Sequence, residues 1–316
     1  MNQNIESVEN SSFLSQSDLV PQPLTEARRV LFAWDAANPR PILALLRAQA
    51  YAQMLGAELY ILAVFDVMHQ SSTNPIQPWF QFDRAQRFLN STLPDLEDSH
   101  VQMKSGIFAE LVALASQDLD ADLVVIPPAE KNAGKQANQI ATTAEVKVLV
   151  ARTPQFRNTV VAATDLSHPG YPVVTAAGLF RQYLSAELVL IHNVVPVVFS
   201  GGLEAAWPLT GAPSARSLSR TTHRLRQVAQ SCGACSEALV AVAWNTANTI
   251  LKTAHERDAD LVVIGTRPRT RWEQLLDSGV TVRVIREARQ SVLIAPAINR
   301  RGQSSLSVDL AGSAEA

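Results

Sequence analysis

The heptapeptide Asp-Ala-Asp-Leu-Val-Val-Ile occurs twice in this chain, at residues 120–126 and 258–264. Three further matches fall in the same order around it. Asp35 after VLFAW answers Asp165 after VVAAT, AEL opens an apolar run at 57 and again at 186, and VLVA at 148–151 answers VLIA at 292–295. The offset between copies is 129 to 130 at first, then 138, then 144, so the second copy carries extra residues before and after its heptapeptide. A repeat of this length is a duplicated domain and not a solenoid unit. A chain of 316 residues has room for two domains that each bury a core.

Within each half, short β-rich apolar runs alternate with helical patterns. The runs are Val30–Trp34, Leu59–Phe65, Val101–Met103, Leu123–Ile126 and Val146–Val150, then Thr159–Ala163, Leu188–Val195, Leu239–Ala243, Leu261–Ile264 and Ser291–Ala295. Ile42, Leu45, Leu46, Ala50 and Met54 recur at the helical period and predict the buried face of a first helix. Ile107, Leu111, Leu114 and Ala115 predict the same for the third helix, and Ala247, Ile250, Leu251 and Ala254 for its counterpart. Continuous apolar strands separated by amphipathic helices indicate an α/β fold with parallel sheets covered on both faces. The linker near Arg152–Phe156 is short, so the halves are expected to touch. Their last strands, VKVLVA and SVLIA, expose unpaired edges of the same kind and predict pairing into an intrachain pseudo-dimer.

The even composition excludes several classes. Net charge is −2 with 18% charged residues, without the basic excess of a general nucleic-acid binder. Two cysteines cannot build a disulfide framework, and a reducing cytoplasm is the expected setting. The N-terminus lacks the basic-then-apolar order of a signal peptide, and no apolar run approaches the roughly 18 residues that cross a bilayer. No membrane and no nucleic acid are expected as partners. Residues 1–24 and 299–316 are polar or small without a burying period, so both read as disordered tails. They flank domains at 25–153 and 154–298.

Asp closing the first strand, AELxLxH in the second and ADLVVIGTR around the fourth make the chain resemble the universal stress protein family. The resemblance covers roughly residues 27–152 and 156–297. It implies two tandem five-stranded parallel sheets in the order 3-2-1-4-5, often paired through the fifth strand. It also implies, in some members, an ATP site marked G-x2-G-x9-G-[ST] after strand four, in proteins that bind nucleotide or partners and are not ordinary catalysts.

In the second half that spacing is intact but the residue types differ. Gly265 after Ile264 holds the first position, Pro268 the second, and Ser278–Gly279 the last pair, followed by Val280 and Thr281. Glycines let backbone N–H groups approach phosphate oxygens at a helix N-terminus. Pro268 lacks an N–H and has a fixed φ, so one donor is lost. Arg267, Arg269 and Arg271 can replace it with charge-assisted contacts; the alternative is that TRPRTR is a solvated basic loop. By the resemblance, Ala163 and Asp165 hold adenine-contacting positions and Asn193 the strand-two position, although Asp165 can equally cap the following loop. In the first half Asp35 persists, but strand four runs into Pro127–Pro128, and Thr142 and Thr143 stand where the last helix is expected to begin. AEKNAGKQ (129–136) falls short of a P-loop because Gln136 replaces the Ser or Thr that holds Mg²⁺.

Other chemistry-bearing residues have plainer readings. Cys232 and Cys235 form one CxxC, which cannot close a structural zinc site. Asp165, Ser167 and His168 contain triad residue types, but sequential neighbours do not reach triad geometry. His192 reads as a loop or dimer contact, and Trp244 and Trp272 as core or interface aromatics. The sequence thus indicates a non-catalytic stress-response protein binding ATP or a related adenine nucleotide weakly in its second half, without a metal. The alternative is a nucleotide-free scaffold acting through an unidentified protein partner, and a further homodimer is open in either case. Slow ATP hydrolysis or autophosphorylation lacks an evident general base.

Overall fold

In the computed structural model the described residues are 28–36, 41–66, 78–94, 97, 100–128, 132–152, 158–167, 172–199, 209–211, 213–231, 235–266 and 279–296. The first half runs β1 (Arg28–Asp35), α1 (Ile42–Leu55), β2 (Ala57–Asp66), α2 (Pro78–Thr92), β3 (Val101–Gly106), α3 (Phe108–Asp118), β4 (Leu123–Ile126), α4 (Ala133–Ala144) and β5 (Lys147–Val150). The second half repeats it as β6 (Thr159–Ala163), α5 (Pro172–Leu184), β7 (Glu187–Val194), then β8 (Val197–Phe199), β9 (Leu209–Gly211), α6 (Ala215–Ser231), β10 (Cys235–Val242), α7 (Thr246–Glu256), β11 (Leu261–Gly265), α8 (Val280–Glu287) and β12 (Ser291–Ala295). The antiparallel β8–β9 pair lies where the second copy carries extra residues, and the apolar patterns do not reveal it as strands.

The main strands form one ten-stranded sheet ordered β10-β7-β6-β11-β12-β5-β4-β1-β2-β3. Each half alone is parallel in the order 3-2-1-4-5, as the resemblance implies. The halves join where β12 runs antiparallel to β5, with Val292, Leu293 and Ile294 opposite Val150, Leu149 and Val148. Pairing these two edges satisfies backbone groups that would otherwise face solvent or a foreign strand.

The repeated heptapeptide has a structural purpose in both halves. Its first residue, Asp120 or Asp258, adopts φ of 47°, a left-handed turn conformation that aspartate tolerates better than most side chains. Its third residue ties the incoming strand to the start of the neighbouring one. Arg29 N donates to Asp122 Oδ2 at 3.0 Å, and Asn158 N donates to Asp260 Oδ2 at 2.6 Å. The remaining Leu-Val-Val-Ile is buried on both faces in each copy.

Two cores flank the sheet. One side buries Leu45, Tyr51, Leu89, Phe180 and Leu225 from α1, α2, α5 and α6. The other buries Val112, Ile140, Ile250 and Ile285 from α3, α4, α7 and α8. Both continue across the joint. On the first side the Tyr51 and Phe180 rings sit 5.3 Å apart, an arrangement worth about 0.5–1.5 kcal/mol beyond area burial, and Arg28 donates to the Tyr183 hydroxyl. On the second side α4 packs on α8. The Arg152 guanidinium donates to the carbonyls of Ile285 at 2.6 Å and Gln290 at 3.3 Å, so a residue of the first half satisfies helix-end acceptors of the second.

Two of the predicted helix faces are corrected. α1 buries Ala44, Leu45, Ala48, Tyr51 and Ala52, whereas Ile42, Leu46 and Met54 are 45%, 45% and 38% exposed and Ala50 is also exposed. α3 buries Phe108, Ala109, Val112, Ala113, Ala115 and Ser116, leaving Ile107 and Leu114 outward. Both helices are apolar around most of their circumference, so periodicity leaves the phase undetermined. Small residues face the sheet because they allow close approach. In α7, whose remaining positions apart from Leu251 are polar, Ala247, Ile250 and Ala254 are buried as predicted and Leu251 is half-buried. Among the described residues no helix is long and apolar enough to cross a membrane.

Candidate functional site

In the second half, chain order runs outward from β6 to β7 and β10 on one side and from β11 to β12 on the other. The reversal lies between β6 and β11, and open α/β sheets bind ligands in the crevice beyond the strand carboxyl ends at such a point. Ala163 and Ile264 are register partners at the mouth of this crevice. Asp165 follows β6, Gly265 closes β11, and Gly279, Val280 and Thr281 open α8. Arg267, Pro268, Arg269, Arg271, Trp272 and Ser278 lie outside the described residues, as do His168 and Cys232.

The crevice residues have local partners. Asp165 Oδ1 accepts from Ser167 N at 2.9 Å and from Ser167 Oγ at 2.7 Å, the loop-capping arrangement open to aspartate in a turn. Leu166 within that turn takes φ of 58° and buries its side chain. His192 Nδ1 lies 2.8 Å from Thr164 O; a carbonyl only accepts, so the proton sits on Nδ1 and the ring fastens β7 to the loop after β6. Asn193 lies one level beyond the crevice. Its Nδ2 donates to Ala243 O and Thr246 Oγ1, both at 2.9 Å, which directs the amide toward the β7–β10 loops. Its Oδ1 is buried without a hydrogen-bond partner. Ala163, Asp165 and Gly265 thus stand at the carboxyl ends of β6 and β11, Gly279 and Thr281 at the start of α8, and the Asn193 amide is engaged by the β7–β10 loops.

Gly265 and the start of α8 are held close. A Cβ on Gly265 would lie 3.0 Å from Val173 Cγ2, so glycine lets α5 approach the end of β11. Thr281 Oγ1 donates to Gly265 O at 2.9 Å, tying the first turn of α8 to the strand. Among the described residues no side chain caps α8, and the first N–H groups of an uncapped helix are available to an anion.

The first-half counterpart is built differently. Pro127 is buried directly after β4, and α4 begins at Ala133, whereas residues 266–279 separate β11 from α8. Thr142 and Thr143 do not precede the last helix as the sequence suggests. They lie in the last turn of α4, where Thr142 Oγ1 donates back to Asn138 O at 2.8 Å. An alanine-rich run continues the helix through them, and β-branched hydroxyls can bond a preceding turn. Gly134, the glycine of the near P-loop, has a packing role: a Cβ there would sit 2.7 Å from Val282 O. It is a point of close approach between α4 and α8.

The remaining candidates are quiet. Cys235 Sγ donates to Glu237 O at 3.0 Å, and burial, partly offset by backbone hydrogen bonds, raises its pKa above the usual thiol range, which disfavours the thiolate that metal binding or redox chemistry requires. Trp244 is 55% exposed, contrary to a core placement. Among the described residues no group of three or more His, Cys, Asp or Glu is placed to hold a metal ion.

A doubly wound sheet with its crevice at a strand-order reversal defines a class of small-ligand and nucleotide-binding α/β proteins. Residues 156–296 match the profile of the universal stress protein family. A putative universal stress protein from Pseudomonas aeruginosa superposes with a TM-score of 0.59 at 18% identity, over 89% of this chain and 95% of that one. A universal stress protein from Archaeoglobus fulgidus gives 0.56 at 15% identity, over 84% and 96%. Matches of this extent include both halves and concern the fold. The sensor protein KdpD of Mycobacterium tuberculosis is 30% identical over 139 residues, 44% of this chain. The chain spans only 14% of the length of that protein.

Proposed function

We propose that this is a non-catalytic stress-response protein of two domains, 25–153 and 154–298, that binds an adenine nucleotide weakly in the second. The observation that carries the reading is the crevice between β6 and β11, where small Ala163, Gly265 and the uncapped start of α8 meet. Phosphates sit against helix-start amides, with Arg267 and its neighbours supplying charge in place of the donor that Pro268 lacks. Asp165 is already engaged by Ser167, so it serves to shape the adenine end and not as a general base. The low cysteine count supports a cytoplasmic setting.

Calorimetry with ATP at low salt tests this. Losing a charged-partner hydrogen bond costs about 1.5–3 kcal/mol, so Pro268→Gly should tighten binding roughly tenfold or more. Replacing Arg267, Arg269 and Arg271 together with alanine should abolish binding. No heat of binding from either the native protein or Pro268→Gly rejects the nucleotide reading.

A second reading, a nucleotide-free scaffold regulating a protein partner, is favoured by the internal bonds of Asp165, Asn193 and Thr281. Mass analysis of small molecules released from freshly purified protein separates the two: an adenine nucleotide supports the first, and its absence together with flat calorimetry supports the second.

A further inference from the structure

α6 carries four arginines and a histidine and no carboxylate. Leu225, Val228 and Ala229 bury one face. Arg216, Arg220 and His223 recur at spacings of four and three along the opposite face, with Arg224 and Arg226 on its flanks, and all five are exposed. Among the described residues no carboxylate pairs with Arg216, Arg220 or Arg226. The duplicated counterpart is different. α2 has exposed Arg84 and Arg87, and Arg87 is paired with Asp83 one turn away. The excess positive charge is therefore specific to the second half and is concealed by a net charge of −2 for the whole chain.

We propose that this face of α6 binds the phosphate backbone of a nucleic-acid duplex without reading its sequence. The outward residues Arg216, Ser219, Arg220, His223, Arg224 and Gln227 offer hydrogen-bond donors and no apolar side chain. A protein partner needs a desolvated apolar or aromatic centre, and a helix lying on a bilayer needs an apolar face to insert; this face has neither, its apolar side being already committed to the core. No aromatic residue on it can stack an unpaired base. What remains is a row of guanidinium groups, whose planar fork matches phosphate oxygens, interleaved with hydroxyl and amide donors of the kind that contact DNA backbone.

The test is fluorescence anisotropy of the full chain with a labelled 20-base-pair DNA duplex of arbitrary sequence. Three phosphate contacts give a log–log salt slope near −2.7, so affinity should fall about 40-fold between 50 and 200 mM salt. Reversing Arg216→Glu, Arg220→Glu and Arg226→Glu together should remove binding, while Arg84→Glu with Arg87→Glu in α2 should leave it unchanged. Circular dichroism melts of both variants establish that they are folded, and Arg→Gln at the same three positions serves if the reversal is not. No binding by the native chain, equal binding by the α6 and α2 variants, or tighter binding to poly-glutamate or to anionic phosphatidylserine vesicles than to the duplex would each overturn the proposal.

Discussion

The loops that follow β4 and β11 begin from the same heptapeptide and end at helices that pack on each other, yet they do opposite things. After β4 the chain passes through Pro127 and Pro128 and is helical again by Ala133. After β11 it continues through residues 266–279 before α8 starts without a side-chain cap. In the first half, Ala133 and Gly134 are buried and form the early part of a helix that supports the joint. In the second, α8 begins at Val280, with Gly279 at its N-cap. Duplication lets the two copies of a loop diverge in length and role, and the first has become part of the joint.

The largest expected effect breaks the scaffold side of this comparison. Gly134→Ala places a Cβ 2.7 Å from Val282 O, and a backbone oxygen cannot move aside cheaply, so overpacking should cost about 1–3 kcal/mol. Urea denaturation should show a lowered midpoint. An unchanged midpoint would mean that α4 and α8 are not held as closely as described.

A second pair of substitutions addresses the site side. Asp165→Ala should weaken ATP binding roughly tenfold, about 1.4 kcal/mol, by releasing the turn that Ser167 closes, while Asp35→Ala should leave it unaltered. Equal losses in a titration of both variants would place the halves on the same footing.

A smaller effect sharpens the contrast between glycines. Gly178 lies inside α5, and a Cβ there meets nothing within 4 Å. Gly178→Ala should raise stability by about 0.4–1 kcal/mol through the unfolded chain, opposite in sign to Gly134→Ala. Thermal melts of the two variants side by side provide the check.

The smallest expected effect is electrostatic and belongs to α8 alone. Hydrogen bonds from Arg286 and Arg283 hold the Glu287 carboxyl below its usual pKa. A carboxylate with a depressed folded pKa stabilises the fold above its unfolded pKa, and that contribution is lost as pH falls through the lower folded value. The pair is partly exposed, so Glu287→Gln should cost only a few tenths of a kcal/mol at neutral pH. The cost should vanish in strong acid, which stability curves between neutral and acid pH would reveal. α4, AGKQANQIATTA, has no acidic residue to show such a dependence.

The family resemblance implied the strand order within each half; the sequence by itself determined the duplication, the ten strands of the main sheet and the edges that meet at the joint. These follow from contiguous apolar runs and repeated turn residues, which are local properties of the chain. Ala163, Asp165 and Gly265 stand at strand ends whose order the fold fixes. Only the tertiary structure decided which faces of α1 and α3 are buried, because both helices are apolar nearly all round and the sheet selects the side that packs closest. Only it showed that Gly134 serves a helix contact and not a phosphate, since the contacting Val282 lies in the other half. Asn193 donates to Ala243 O and Thr246 Oγ1, partners some fifty residues distant that no local pattern indicates. Strands and turns are written in neighbouring residues, whereas the choice among apolar faces and the partners of a polar side chain depend on segments that only folding brings together.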